Sequence, residues 1–236
     1  ELWGGWDQSL SGLYRCNCIP MAGCDISRSS YRGRLYVTWA DPRNGDMDVF
    51  LSYSEDGGNS WKPAKKINRD EAGRPQFFPC LTVDPATGAV YIVYYDRRET
   101  TGDYTDVYLA RSYDGGESFS EEKISRSSFE SDKYTFMGDY IGIDALEGHV
   151  YPVWTRLDND TLSVWTALIH DETAVSRSRP ALPDDSRLIG NYPNPFNSST
   201  TICYMLPHAC RIRLSVYNCR GEEVCILAEG YRSAGR

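Results

Sequence analysis

"SEDGGNSW", Ser54 to Trp61, returns 58 residues later as "SYDGGESF", Ser112 to Phe119. Both read Ser-x-Asp-x-Gly-x-Ser-aromatic, and every position suits a tight turn between two strands. The carboxylates of Asp56 and Asp114 can accept hydrogen bonds from the turn's own backbone N–H groups. Gly57, Gly58, Gly115 and Gly116 supply the positive φ angles that other residues resist. Trp61 and Phe119 then re-enter the sheet, where each ring is expected to wedge between neighbouring strands. Burial of such a ring is worth about 4 to 6 kcal/mol, from about 150–250 Å² at about 25 cal/mol/Å². Ser54, Asp56, Gly58 and Trp61, with Ser112, Asp114, Gly116 and Phe119, are therefore structural residues.

The repeat extends outward from the turn. "GRLYVTWADPRNGDMDVFLSYSEDGGNSW" (Gly33 to Trp61) aligns with "GAVYIVYYDRRETTGDYTDVYLARSYDGGESF" (Gly88 to Phe119). A third copy, "GHVYPVWTRLDNDTLSVWTALI" (Gly148 to Ile169), lacks the turn. Each copy has an aromatic-rich strand (Leu35 to Trp39, Val90 to Tyr94, Val150 to Trp154), a polar loop and a second strand (Asp48 to Tyr53, Asp106 to Arg111, Ser163 to Leu168). A β-like segment precedes each glycine ("MAGCDIS", "FPCLTVD", "GDYIGID"). After the turn comes a short outer strand, "PAKKIN" or "SEEKIS". Four strands in about 55 to 60 residues, repeated about three times, is the signature of propeller blades.

Composition agrees. Aromatics are 13% of the 236 residues, which favours strands over helices. The net charge of −8 gives no broad basic field for nucleic acid, and no apolar run approaches the roughly 20 residues that span a bilayer. The eight cysteines include no Cys-x-x-Cys pair, which argues against zinc and leaves disulfides as the favoured expectation. His149, His170 and His208 are scattered, without metal-ligand spacing. No metal site is assigned, although "NGDMD" (Asn44 to Asp48) and "TGDYTD" (Thr101 to Asp106) offer oxygen ligands that could hold Ca²⁺.

The repeated turn resembles the Asp-box, or bacterial neuraminidase repeat, of the sialidase superfamily; Phe119 stands where Trp is commonest. The resemblance covers about residues 15 to 170 and implies a six-bladed-type propeller. With three blades visible, 1–170 is expected to be the C-terminal half of such a ring. The superfamily's Arg-Ile-Pro signature is absent, with Cys18 of "CNCIPMAG" at the arginine's place.

Residues 171–187 are polar and Pro-containing and read as a linker. In 188–236, "NYPNPFN", "TTI" and "VYNCRGEEV" form a series that resembles the C-terminal sorting domain of type IX secretion cargo. This implies a truncated immunoglobulin-like β-sandwich, the type IX secretion machinery as a partner, and a secreted or cell-surface protein. The fold expectation is all-β: partial propeller, linker, partial sandwich.

Chemistry is expected on the face opposite the repeated turns, where the loops joining second and third strands emerge. Aligned, these carry Asp41 with Arg43, Asp96 with Arg98, and Arg156 with Asp158. The sialidase resemblance implies guanidinium groups that bind a sugar carboxylate, an Asp acid/base and a Tyr nucleophile activated by Glu. Arg43, Arg98 and Arg156 could supply the first, Asp41, Asp96 or Asp139 the second, and Tyr95 or Tyr140 the third. Against this, Asp and Arg two apart at a strand end form a local salt bridge, and recurrence in every blade suits a scaffold. The functions in play are exo-sialidase, a non-catalytic propeller binding glycans or proteins, and an accessory domain of a larger secreted enzyme. The expected ligand is a glycan or glycoprotein.

Overall fold

A computed structural model describes residues 7–70, 73–177 and 186–235. It divides into two compact units, Glu1–Ser178 and Arg179–Arg236.

In the first unit, β1 (Asp7–Gln8) and β2 (Cys16–Asn17) form a small ladder. Three antiparallel sheets follow. The first has the order β3 (Met21–Cys24), β4 (Leu35–Asp41), β5 (Asp48–Ser54), β6 (Lys65–Lys66). The second runs β7 (Gln76–Val83), β8 (Val90–Asp96), β9 (Tyr104–Ser112), β10 (Ser120–Lys123), and β11 (Phe129–Glu130) also pairs with β9. The third runs β12 (Gly142–Leu146), β13 (His149–Asp158), β14 (Thr161–Thr166), and β15 (Ile169–His170) pairs with β13. Each is the meander that the repeat predicts. The third differs from the aligned reading: Arg156 and Asp158 lie within β13, not in a loop. The chain reverses there through Asn159 and Asp160, whose φ angles of 48° and 61° suit a two-residue hairpin of the primed type.

The sheets pack face to face. Alternate residues of β8 serve two cores: Val90, Ile92 and Tyr94 meet Tyr36, Leu51 and Tyr53 of the first sheet. Tyr91, Val93 and Tyr95 meet Ala145, Val150 and Trp154 of the third. That is why β8 is apolar on both faces and buried throughout.

The two repeated turns share one hydrogen-bond pattern. Ser54 Oγ donates to Asp56 Oδ1 (2.8 Å) and accepts from Gly58 N (2.9 Å), while Ser60 N donates to Asp56 Oδ1 (2.8 Å). Ser112, Asp114, Gly116 and Ser118 repeat these contacts at 2.8, 2.9 and 2.9 Å. The aromatic ends differ. Phe119 is buried among Tyr36, Leu51 and Tyr108, as expected, but Trp61 is 45% exposed. Phe119 has the first sheet to pack on, whereas no described sheet lies on the corresponding side of Trp61.

Bonds from Ser60 and Ser54 hold the Asp56 carboxyl at about 2, below its ordinary 3.8. A folded value below the unfolded one stabilises above pH 3.8 and is lost as pH falls through about 2. Acid titration followed by circular dichroism should therefore show a step in that window, and Ser60→Ala should move its onset to higher pH. An unchanged acid midpoint in Ser60→Ala would contradict this account.

The stretch read as a linker begins inside this unit. Helix α1 (Glu172–Arg177) carries buried Ala174, and Asp171 is buried too. Asp171 Oδ2 accepts from Tyr91 Oη (3.0 Å) and Tyr113 Oη (2.6 Å). It thus covers Tyr91 as the second sheet's turn covers Tyr36, which accounts for a third copy without that turn.

The second unit consists of two hairpins, β16 (Arg187–Tyr192) with β17 (Thr201–Met205) and β18 (Cys210–Tyr217) with β19 (Glu223–Arg232). A bridge joins Leu206 to Gly235. "TTICYML", "RIRLSVYN" and "EEVCIL" are strands as read, but the expected immunoglobulin-like sandwich is not formed by the described residues. Leu206 is their one fully packed apolar side chain, so the hairpins lack a shared interior. The eight cysteines are unbonded, contrary to the disulfide expectation.

Candidate functional site

Antiparallel order places the connections between second and third strands, and those leading from one sheet to the next, at the same end of the sheets. The repeated turns occupy the other end. At the loop end opens a cleft of about 620 Å³. It is lined by Ser11 and Gly12 before β2, Asp103 and Tyr104 before and in β9, Ser128–Lys133 around β11, and Leu157–Asp160 at the β13–β14 hairpin.

Arg97, beneath the cleft, is the largest fully buried side chain. Its Nη1 donates to Ser11 O (2.8 Å), Nη2 to Ser131 Oγ (2.8 Å) and Nε to Thr105 Oγ1 (3.0 Å). Asp103 Oδ1 lies 3.4 Å from Nη1. One guanidinium thus joins three of the segments that form the cleft, and the Phe77 ring lies under it at 5.3 Å. The rim is acidic: Asp103, Glu130, Asp132, Asp158 and Asp160 face a single Lys133. Asp132 is engaged by Tyr134 N and Thr135 Oγ1, both at 3.1 Å, and Asp158 by Arg156. Among the described residues, Glu130 and Asp160 have no ion pair.

The three Asp–Arg pairs all form, each within its own strand end. Arg43 Nε donates to Asp41 Oδ1 (2.8 Å), Arg98 Nε to Asp96 Oδ2 (2.7 Å), and Arg156 Nη2 to Asp158 Oδ1 (2.8 Å). Each guanidinium also lies over an aromatic ring: Arg43 on Phe50 (4.5 Å), Arg98 on Tyr108 (4.4 Å), Arg156 on Trp165 (4.9 Å). Arg98 has a second partner, Glu121 Oε1, at 2.7 Å. None of these arginines lines the cleft.

Burial would raise the Asp41 carboxyl, but bonds from Arg43 and Trp39 bring it below its ordinary value. Asp96 is deeper, and there burial outweighs Arg98 and the carboxyl is raised. Asp139 is held low by Arg15, whose Nε donates to its Oδ1 at 2.6 Å, and Asn17 Nδ2 donates to the same oxygen at 2.7 Å. Tyr95 is buried, its hydroxyl donating to Thr155 O, and burial pushes it up. Tyr140 is 66% exposed beside Asp139. A Tyr–Glu contact does occur, between Tyr94 and Glu121, but in the core with the phenol raised by burial.

Of the two segments with calcium-type ligands, "NGDMD" brings Asp46 and Asp48 together with Asp70, which the sequence reading missed. Lys66 Nζ already lies 2.7 Å from Asp48 Oδ1 and 3.4 Å from Asp70 Oδ1, so a lysine ammonium neutralises this cluster. In "TGDYTD", Asp103 turns to Arg97 and Asp106 to Lys123 (2.9 Å) and Ser125 (2.9 Å), leaving no shared cage.

Arg97, Glu130, Asp132 and Asp160 were not singled out in the sequence. Acids crowd the loops around 99–106, 130–132 and 158–160, but only the packing of three sheets shows that these converge.

The fold is similar to that of an alpha-L-arabinanase from Penicillium chrysogenum complexed with arabinobiose, with a TM-score of 0.50 and 18% identity over 65% of this chain and 46% of that one. A Hadza microbial sialidase (TM-score 0.43, 17% identity, 64% and 35%) also matches. So does a family 117 glycoside hydrolase produced by the marine bacterium Zobellia galactanivorans (0.41, 12%, 78% and 65%). The chain spans about half the length of the arabinanase and less than two thirds of the other two. No protein-family model and no curated protein matches. The likeness is one of fold: this is an all-β chain whose neighbours are propeller glycoside hydrolases. No helix of the described residues is long and apolar enough to cross a membrane.

Proposed function

We propose that the loop end binds a glycan in the acidic cleft, and that the glycan is neutral, not a sialoside. The observation that carries this reading is the cleft's wall of carboxylates, hydroxyls and one half-exposed aromatic, Tyr104. Carboxylates accept hydrogen bonds from sugar hydroxyls, and a volume of about 620 Å³ suits a short oligosaccharide. A sialoside brings its own carboxylate, which needs an uncommitted guanidinium. Arg43, Arg98 and Arg156 are each held by an aspartate, and five acids against one lysine would repel an anionic sugar.

Hydrolysis is a second reading, favoured by Glu130 and Asp160, two carboxylates without ion pairs on separate segments of one cleft. Glycoside hydrolysis uses such a pair, one as acid and one as base or nucleophile.

Calorimetric titration with neutral arabino-, xylo- and galacto-oligosaccharides and with sialyllactose tests both readings. Binding of a neutral sugar is expected, weakened about tenfold by Glu130→Gln or Asp160→Asn. Reducing-sugar release abolished by either variant would add catalysis. Sialyllactose bound more tightly than every neutral sugar would overturn the proposal.

The tail's resemblance supports delivery by type IX secretion to the cell surface or beyond. Deletion of 188–236 should leave the protein in the periplasm of a host with that machinery; unchanged export would remove this part of the reading.

A further inference from the structure

Successive sheets join through one repeated seat. Tyr36, Tyr91 and Tyr151 each stand three residues after a glycine, Gly33, Gly88 or Gly148, and strand alternation turns each toward the following sheet. Tyr36 is fully buried beneath the second sheet's turn, where a Cβ on Gly116 would lie 3.2 Å from its ring. Tyr91 is fully buried beneath Asp171. Tyr151, the third, is 44% exposed, and Val153 and Val164 are exposed beside it. At the other end of the row, Trp61 is 45% exposed while its counterpart Phe119 is buried. One end thus presents an unfilled seat, and the other an unseated turn.

The polar residues change in step. In the filled seat Arg34 Nη1 donates to Gly115 O (2.6 Å) and lies 3.5 Å from Glu117. The unfilled seat has His149 where Arg34 would be, and the unseated turn has Asn59 where Glu117 would be. Losing one charge alone would strand the other; both are absent together.

We propose that the outer side of the third sheet receives the Ser54–Trp61 turn of a second copy of this chain, reciprocally, so that two chains join head to tail through two identical contacts. Such heterologous contacts close into a ring when the rotation between units allows it. Six sheets fall within the four to eight of closed propellers. A second copy is the occupant because this seat already accepts this turn within the chain, and its polar residues match the turn that Trp61 ends. Closure would also cover the two exposed sheet faces that otherwise invite non-specific association.

Light scattering coupled to size exclusion on the whole chain, at micromolar concentration, should give twice the 26.7 kDa chain mass. Trp61→Asp and Val164→Lys alter side chains exposed in the single chain, so each should fold. Each should raise the dimer dissociation constant about 30-fold or more. Mixed together, the two variants keep one intact turn facing one intact seat, so the mixture should associate more strongly than either alone. A monomeric native chain would overturn the proposal, as would a dimer unaffected by both substitutions. Equal weakness of the mixture and the single variants would also overturn it, because head-to-tail pairing requires the rescue.

Discussion

Arg97→Ala should lower stability by about 3–5 kcal/mol and abolish sugar binding at the loop end. The side chain is fully buried and its guanidinium serves Ser11, Thr105 and Ser131, with Asp103 at 3.4 Å. Truncation removes all these donors at once and leaves a cavity the size of the side chain over Phe77. Loss of one member of a buried charged network typically costs this much, because its partners stay desolvated. For a chain of this length, about 2–4 °C of melting temperature accompanies each kcal/mol, so the midpoint should fall by about 10 °C. Arg97→Lys should recover only part of the loss, since an ammonium cannot reach three separated acceptors. Calorimetry of both variants, with titration of a bound oligosaccharide, checks the two effects together. A melting temperature within about 2 °C of the native chain would show that the loops organise without Arg97.

Asp84→Ala should be nearly as damaging, by uncoupling the second sheet from the third. The Asp84 carboxylate is fully buried and accepts from Ala86 N (2.8 Å) and Thr87 N (3.3 Å) in its own turn. It also accepts from Glu147 N (3.2 Å) and Gly148 N (2.8 Å) at the corresponding turn of the third sheet. Four N–H groups would lose their acceptor, at about 1–3 kcal/mol for each that water cannot reach. A total of about 3–4 kcal/mol is expected, with a lower urea midpoint and faster hydrogen exchange at Gly148. Asp25, at the same place in the first sheet, bonds only Ser27 N (2.7 Å) and Ser29 within its own turn. Asp25→Ala should therefore cost less and leave exchange at Gly148 unchanged. Equal losses in the two variants would mean that the intersheet bonds contribute nothing.

These residues also separate what a sequence can carry from what it cannot. The turn chemistry was legible because it is local: Ser54, Asp56, Gly58 and Ser60 satisfy one another within seven residues, and their spacing encodes the bonds. Strand positions were legible for a similar reason, since the repeat sets a four-strand meander and alternation assigns faces. The Asp–Arg pairs could be read as scaffold because two residues apart at a strand end is contact distance. The glycan-binding candidates could not be read that way. Arg97 and Arg98 are adjacent and chemically identical, yet one is fully buried beneath the cleft and the other lies at a strand end beside Asp96 and Glu121. Which face of the chain each meets depends on the stacking of sheets that are tens of residues apart.

By itself, then, the sequence determined the all-β class, the three repeated sheets and the turns that close their hairpins, because those follow from interactions among near neighbours. Tertiary structure decided the rest: the convergence of Asp103, Glu130 and Asp160 on one cleft, the burial of Phe119 against the exposure of Trp61, and the cover of Tyr91 by Asp171. Each depends on a partner between 27 and 83 residues away along the chain or on a sheet face left uncovered, and no local spacing encodes either.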